Sequence, residues 1–225
     1  MNHFRRIALV IAIAAAAAIS ATFAFASGGN GSMSSMGSMK TPAAKTSSQA
    51  ADLRVTLDNL LGEHAVLAMN ATNAGITGSK DFSAIAAQLD KNSVALSKAI
   101  GSLYGQAAGD KFLNGKFMWR DHIKFFVAYT VALAKHNKAG QTAAVNNLKK
   151  YTQKFGAFLA GATGLPTSAV QNDLLGHVLE LKNQLDLFSQ HKYAKAAQAY
   201  DAAYNHMFMT GDTLAAAIAK QKGMS

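Results

Sequence analysis

Five polar side chains fall where helical periodicity calls for apolar ones. His64 lies between Leu60 and Leu67, Asn92 between Leu89 and Leu96, and His122 between Met118 and the Phe125/Phe126 pair. His177 sits between Leu174 and Leu181, and His206 within the segment YNHMFM. A polar group on a core-facing stripe costs about 1–3 kcal/mol unless its hydrogen bonds are met, so five on five helices need a common reason. Counting along the chain suggests one. His64 is about 11 residues before its helix ends and Asn92 about 11 after the next begins, so antiparallel neighbours would bring them level. His122 at about 12 residues into the third helix, and His177 and His206 at about 13 either side of their turn, match the same depth.

Four imidazoles and an amide in one layer could hold a transition metal, which takes neutral nitrogen ligands at about 2.0–2.2 Å. Asp173 and Glu180 lie one turn either side of His177 and could orient its ring or join the site, whereas Glu63 and Asp121 should point away around their helices. Met118, Met69, Met207 and Met209 lie near the histidines, and Met33, Met36 and Met39 recur every third residue. Soft thioethers favour copper, with zinc or iron as further candidates and non-covalent haem as the last. The competing reading is a metal-free network that fixes helix register. No Glu-x-x-His occurs, so a ferritin-like di-iron centre is not expected. Gly-x-Ser-x-Gly, His-Glu-x-x-His and phosphate-binding glycine loops are missing as well.

The elements that must position these residues are all helical. Apolar residues recur every three or four positions over 51–74, 81–103, 110–137, 142–159, a segment capped by Thr167, and a last one ending near Lys222. Glycines at 75, 78, 101, 105, 109 and 140, and the GATGLPT segment, separate them. No stretch alternates like a strand. The expected fold is all-α, an antiparallel bundle of about six helices over residues 51–222. Leu60-Leu61-Gly62 with His64 is echoed by Leu174-Leu175-Gly176 with His177.

Ahead of the bundle, Arg5 and Arg6 precede a long apolar run that closes on Ala24-Phe25-Ala26. This pattern predicts a signal peptide over residues 1–26 and export to the periplasm or beyond, an uncleaved membrane anchor being the alternative. Residues 27–50 are rich in Gly, Ser and Met and read as a disordered linker. The chain has no cysteine, which excludes thiolate ligands and thiol catalysis. Without Arg5 and Arg6 the balance is 20 basic to 12 acidic residues, but the lysines are scattered. Nucleic acid is therefore not the expected partner, and attraction to an anionic cell envelope suits the charge.

The segments WRDHIKFF, KKYTQKFGAFLAGATGLP, LLGHVLEL and AYNHMFMTGDTLAAAI together resemble a group of exported bacterial helical-bundle proteins without an assigned activity. The resemblance spans nearly all of residues 51–222 and includes His64, His122 and His177; ferritin-like and hemerythrin-like bundles are similar only in architecture. It implies the architecture and no particular reaction. Three functions remain on sequence grounds: a metal-binding bundle, a structural or interaction module of the cell envelope, and a redox or oxygen-dependent enzyme.

Overall fold

The computed structural model describes residues 48–225; the expected signal segment, most of the expected linker and its three methionines lie outside the described residues. Seven helices follow in order: α1 Gln49–Thr77, α2 Phe82–Tyr104, α3 Gln106–Asn114, α4 Trp119–Ala134, α5 Lys138–Thr163, α6 Thr167–Ser189 and α7 Tyr193–Lys222. No strand occurs among the described residues. Six long helices make an all-α antiparallel bundle, and α3 is a nine-residue accessory to it.

Local chemistry accounts for the boundaries. Ser48 caps α1 by accepting from the Ala51 amide, and Asn137 caps α5 by accepting from the Gly140 amide. Gly78, Gly164 and Gly223 end α1, α5 and α7 at φ of 65°, 74° and 63°, a conformation that glycine enters without a Cβ penalty. Thr167 begins α6 as its first residue, with Pro166 in the cap position, rather than acting as the cap itself.

One expected helix is two. The segment 110–137 is interrupted between Asn114 and Trp119, where Gly115 is extended and Phe117 is left-handed at φ 58°. A Cβ on Gly115 would stand 2.7 Å from the Lys111 carbonyl oxygen, so the turn requires glycine. The chain restarts as α4 because the Asp121 carboxylate reaches back 2.7 Å to accept from the Phe117 amide. His122 is consequently in the first turn of α4, not about 12 residues into a longer helix.

The hub is α1, which packs on α2, α4, α6 and α7. Its leucines 53, 57 and 61 and Ala65 are buried in the main core beside Phe126, Leu148, Phe155 and Ile218. Charged pairs sit at the margins: Arg120 holds Asp90 through two hydrogen bonds at 2.9 and 3.0 Å, tying α4 to α2, and Asp186 of α6 accepts from Tyr129 and Lys182. Underneath, α3 crosses α2 so closely that a Cβ on Gly109 would be 2.6 Å from the Ser97 carbonyl oxygen. This crossing seats Phe112 against Trp119, ring centroids 5.2 Å apart.

Gly109→Val should therefore force α3 off α2, lowering stability by about 1–3 kcal/mol. The emission of Trp119, the single tryptophan of the chain, should shift red as its Phe112 face opens. Gly161→Ala, on an exposed helical position with nothing within 4 Å, should instead gain about 0.5–1 kcal/mol. Urea unfolding followed by circular dichroism measures both, and equal effects would refute the close-crossing account.

Candidate functional site

Three of the five predicted residues converge. His64 from the middle of α1, His122 from the start of α4 and His177 from the middle of α6 are each at most 5 % exposed. The His64 ring centroid is 5.3 Å from that of His122 and 6.0 Å from that of His177. His64 Nε2 and His122 Nε2 face each other at 3.4 Å. Between two neutral imidazoles such a contact needs one ring to donate from Nε2 and the other to accept there. The accepting ring then carries its proton on Nδ1.

Aromatic neighbours hold the rings. Trp119 lies 4.7 Å from His64 and 4.8 Å from His122, and its indole N–H donates to Ser93 Oγ at 3.1 Å. Ser93 in turn donates to the Leu89 carbonyl at 2.8 Å. Tyr151 stacks on His122 at 4.7 Å and on Phe155 at 5.2 Å. Among the described residues, His64 Nδ1 and both nitrogens of His177 are buried without a hydrogen-bond partner. His122 Nδ1 also makes no bond of ordinary geometry, although the Trp119 carbonyl lies near enough to favour its proton slightly.

Burial fixes the charge of this trio. Desolvation holds the His64 pKa well below the usual imidazole value, with the neighbouring His122 adding to the effect. Desolvation likewise brings His122 and His177 down to about 3, helped by His177 and His64 respectively. All three are neutral at physiological pH.

His206 is different. It is half-buried on α7, its ring centroid 6.3 Å from that of His177, and it bridges two carboxylates of α6: Nδ1 to Glu180 Oε2 at 2.8 Å and Nε2 to Asp173 Oδ1 at 3.2 Å. The hydrogen bond to Asp173, then that to Glu180, outweighs partial burial and raises its pKa to about 9. Asp173 also accepts from Thr210 at 3.0 Å. The two carboxylates flanking His177 in sequence thus serve His206, because the α6 face they share turns toward α7. The Cβ that Gly176 lacks would stand 2.9 Å from His206 Cε1, so this glycine makes room for the ring.

Asn92 is buried but belongs to another contact. Its Nδ2 donates to the Leu60 carbonyl at 2.9 Å and to Glu63 Oε2 at 2.8 Å, joining α2 to α1. Its Oδ1 has no partner among the described residues, so neither end of the amide bonds an imidazole. Among the described residues no group of three or more His, Cys, Asp or Glu side chains is placed to hold a metal ion. The five-residue layer resolves into a neutral trio, a charged His206 triad and a separate Asn92 link. Ser93 and Tyr151, which carry no sequence signal of their own, complete the trio's surroundings with Trp119, an aromatic three residues before His122.

The chain matches no family model, no curated protein and no solved structure. No described helix is long and apolar enough to cross a membrane.

The opposed shifts fix how stability depends on pH. An unfolded histidine titrates near 6.5. The trio, lowered in the fold, releases protons on folding, so stability falls as pH drops below about 6.5. His206, raised to about 9, takes up a proton, so its contribution is full below about 6.5 and is lost as pH climbs through 9. Urea midpoints from roughly pH 5 to 9 should peak near neutrality. His177→Leu should flatten the acid side and His206→Gln the alkaline side; profiles unaltered by either change would contradict these assignments.

Proposed function

We propose that this chain is a non-enzymatic, extracytoplasmic bundle that acts as a structural or interaction module of the cell envelope. In this reading its histidines serve as a buried polar network that fixes how α1, α4 and α6 meet. The observation behind this reading is the His64–His122 contact, a neutral pair joined through Nε2 with no carboxylate in the trio. An imidazole pair of this kind contributes register: a helix shifted by one residue would bury both rings without a partner. The apolar run after Arg5 and Arg6, read as a signal segment, and the surplus of basic residues support placement at an anionic envelope.

A metal reading keeps one specific observation. Two nitrogens bound to a tetrahedral ion at about 2.0–2.1 Å stand about 3.3–3.4 Å apart, and His64 Nε2 and His122 Nε2 are 3.4 Å apart. Copper, zinc or iron would find a third nitrogen only by rotation of His177.

Elemental analysis of the untagged exported protein, with a double-mutant cycle on His64 and His122, separates the two readings. In the structural reading no transition metal accompanies the protein stoichiometrically. Each single Leu replacement orphans its partner and costs about 1–3 kcal/mol, and the double replacement costs less than the sum by about 0.5–3 kcal/mol. One equivalent of a single metal, lost in His64→Leu/His122→Leu while helicity persists, would overturn the structural reading in favour of metal binding.

A further inference from the structure

A cavity of about 270 Å³ lies beside the histidine trio, enclosed by α1, α2, α5, α6 and α7 with Phe112 of α3 and the start of α4. Its walls are almost wholly apolar. Six aromatic rings contribute to them: Tyr104, Phe112, Trp119, Tyr151, Phe155 and Phe158. A cavity of roughly 150 Å³ with apolar walls accommodates benzene, so this one has room for two fused rings. The stacked pairs Phe112–Trp119 and Tyr151–Phe155 offer flat faces to a flat guest.

The polar atoms on the wall set the orientation and charge of that guest. Thr163 donates to the Leu159 carbonyl, and Thr210 donates to Asp173, whose carboxylate also holds His206. His177 lines the cavity, is 5 % exposed, and has neither ring nitrogen bonded among the described residues. As the ring stands both nitrogens are shut off from the cavity space; turning it about the Cβ–Cγ bond exchanges them with ring carbons, and one can then accept from, or donate to, the guest. An anionic guest would meet the Asp173 carboxylate with no lysine or arginine on the wall, and that carboxylate is already engaged by His206 and Thr210 and so is not free for a cationic guest; the complementary guest is uncharged.

A way in is visible. A second void of about 180 Å³ adjoins the first, sharing Leu159, Asp173, Leu174, Thr210 and Leu214, and reaches the exposed residues Ala169 and Thr213. It opens between the end of α5, the start of α6 and α7.

From the aromatic walls, the volume, the unbonded His177 and this entrance, we infer that the bundle binds a small uncharged bicyclic aromatic molecule bearing one hydroxyl or N–H group, which His177 engages. The site rests on His177 being free of a metal, as in the structural reading of the His64–His122 pair.

The test uses 2-naphthol and its hydrocarbon counterpart naphthalene, titrated into the full-length exported protein. Quenching of Trp119 and calorimetry report binding, and circular dichroism reports the fold. Wild type should bind 2-naphthol saturably at one site and about tenfold more tightly than naphthalene, the worth of one buried hydrogen bond. His177→Leu keeps the volume but removes the polar partner, and should bind the two compounds alike. Ala162→Phe fills the cavity from a half-exposed position and should weaken both by about tenfold or more. No saturable binding of 2-naphthol to the wild type would overturn the inference. So would an unchanged preference for naphthol in His177→Leu, or undiminished binding in a folded Ala162→Phe.

Discussion

Three imidazoles placed where water does not reach must be neutral, and the rest of the core conforms to that requirement. A buried charge would cost several kcal/mol without a partner, and no carboxylate belongs to the trio. The rings are accordingly stabilised through their faces, by Trp119 and Tyr151, and through the one Nε2 contact between His64 and His122. The hub position of α1 follows. A helix that touches four others can carry one histidine to the common centre, and His64 is that residue.

Charge is sorted across a short distance. His177 and His206 lie with centroids 6.3 Å apart, yet one is held neutral and the other protonated. Direction on α6 decides this. Asp173 and Glu180 turn to α7 and leave His177 facing inward. Two glycines make the arrangement possible: Gly176 admits the His206 ring, and Gly62 admits Phe208, where an added Cβ would be 2.9 Å from Cζ. The echo between Leu60-Leu61-Gly62 and Leu174-Leu175-Gly176 is thus a shared packing device. Each glycine receives a ring from α7, and the histidine beside it enters the core.

Periodicity of 3.6 residues marked His64, His122 and His177 as facing inward, because burial on a helix repeats along the stripe, but it marked His206 equally, which is half-buried and bonded to two carboxylates. It could not reveal the partner of each side chain. Asp173 and Glu180 share a face with His177 by spacing, but the neighbour that face meets is a tertiary fact. The break before α4 was obscured for a different reason: Phe117 and Met118 continue an apolar pattern through a segment that is not helical, and Gly115 was the one local sign. Ser93 and Gln184 were overlooked, since a small hydroxyl and an exposed-looking amide give no signal until a tryptophan or Asn73 comes within bonding distance. A cavity leaves no trace in a sequence, since it is defined by where side chains fail to meet.

That failure is expensive in a bundle otherwise packed with alanine and leucine. At about 24 cal/mol per Å³, a void of 270 Å³ forgoes packing worth on the order of 6 kcal/mol. Whole domains are stable by only about 5–15 kcal/mol. Enlarging one or two small residues on the wall, such as Ala108 or Ala162, would recover part of that loss. What keeps the walls apart is the same aromatic set that shields the imidazoles: Tyr151 is held against His122 and Phe155, and Trp119 against Phe112 and Ser93, so neither ring can fall inward. The polar trio and the apolar cavity are two faces of one wall, and a change that relaxes the first should let the second collapse.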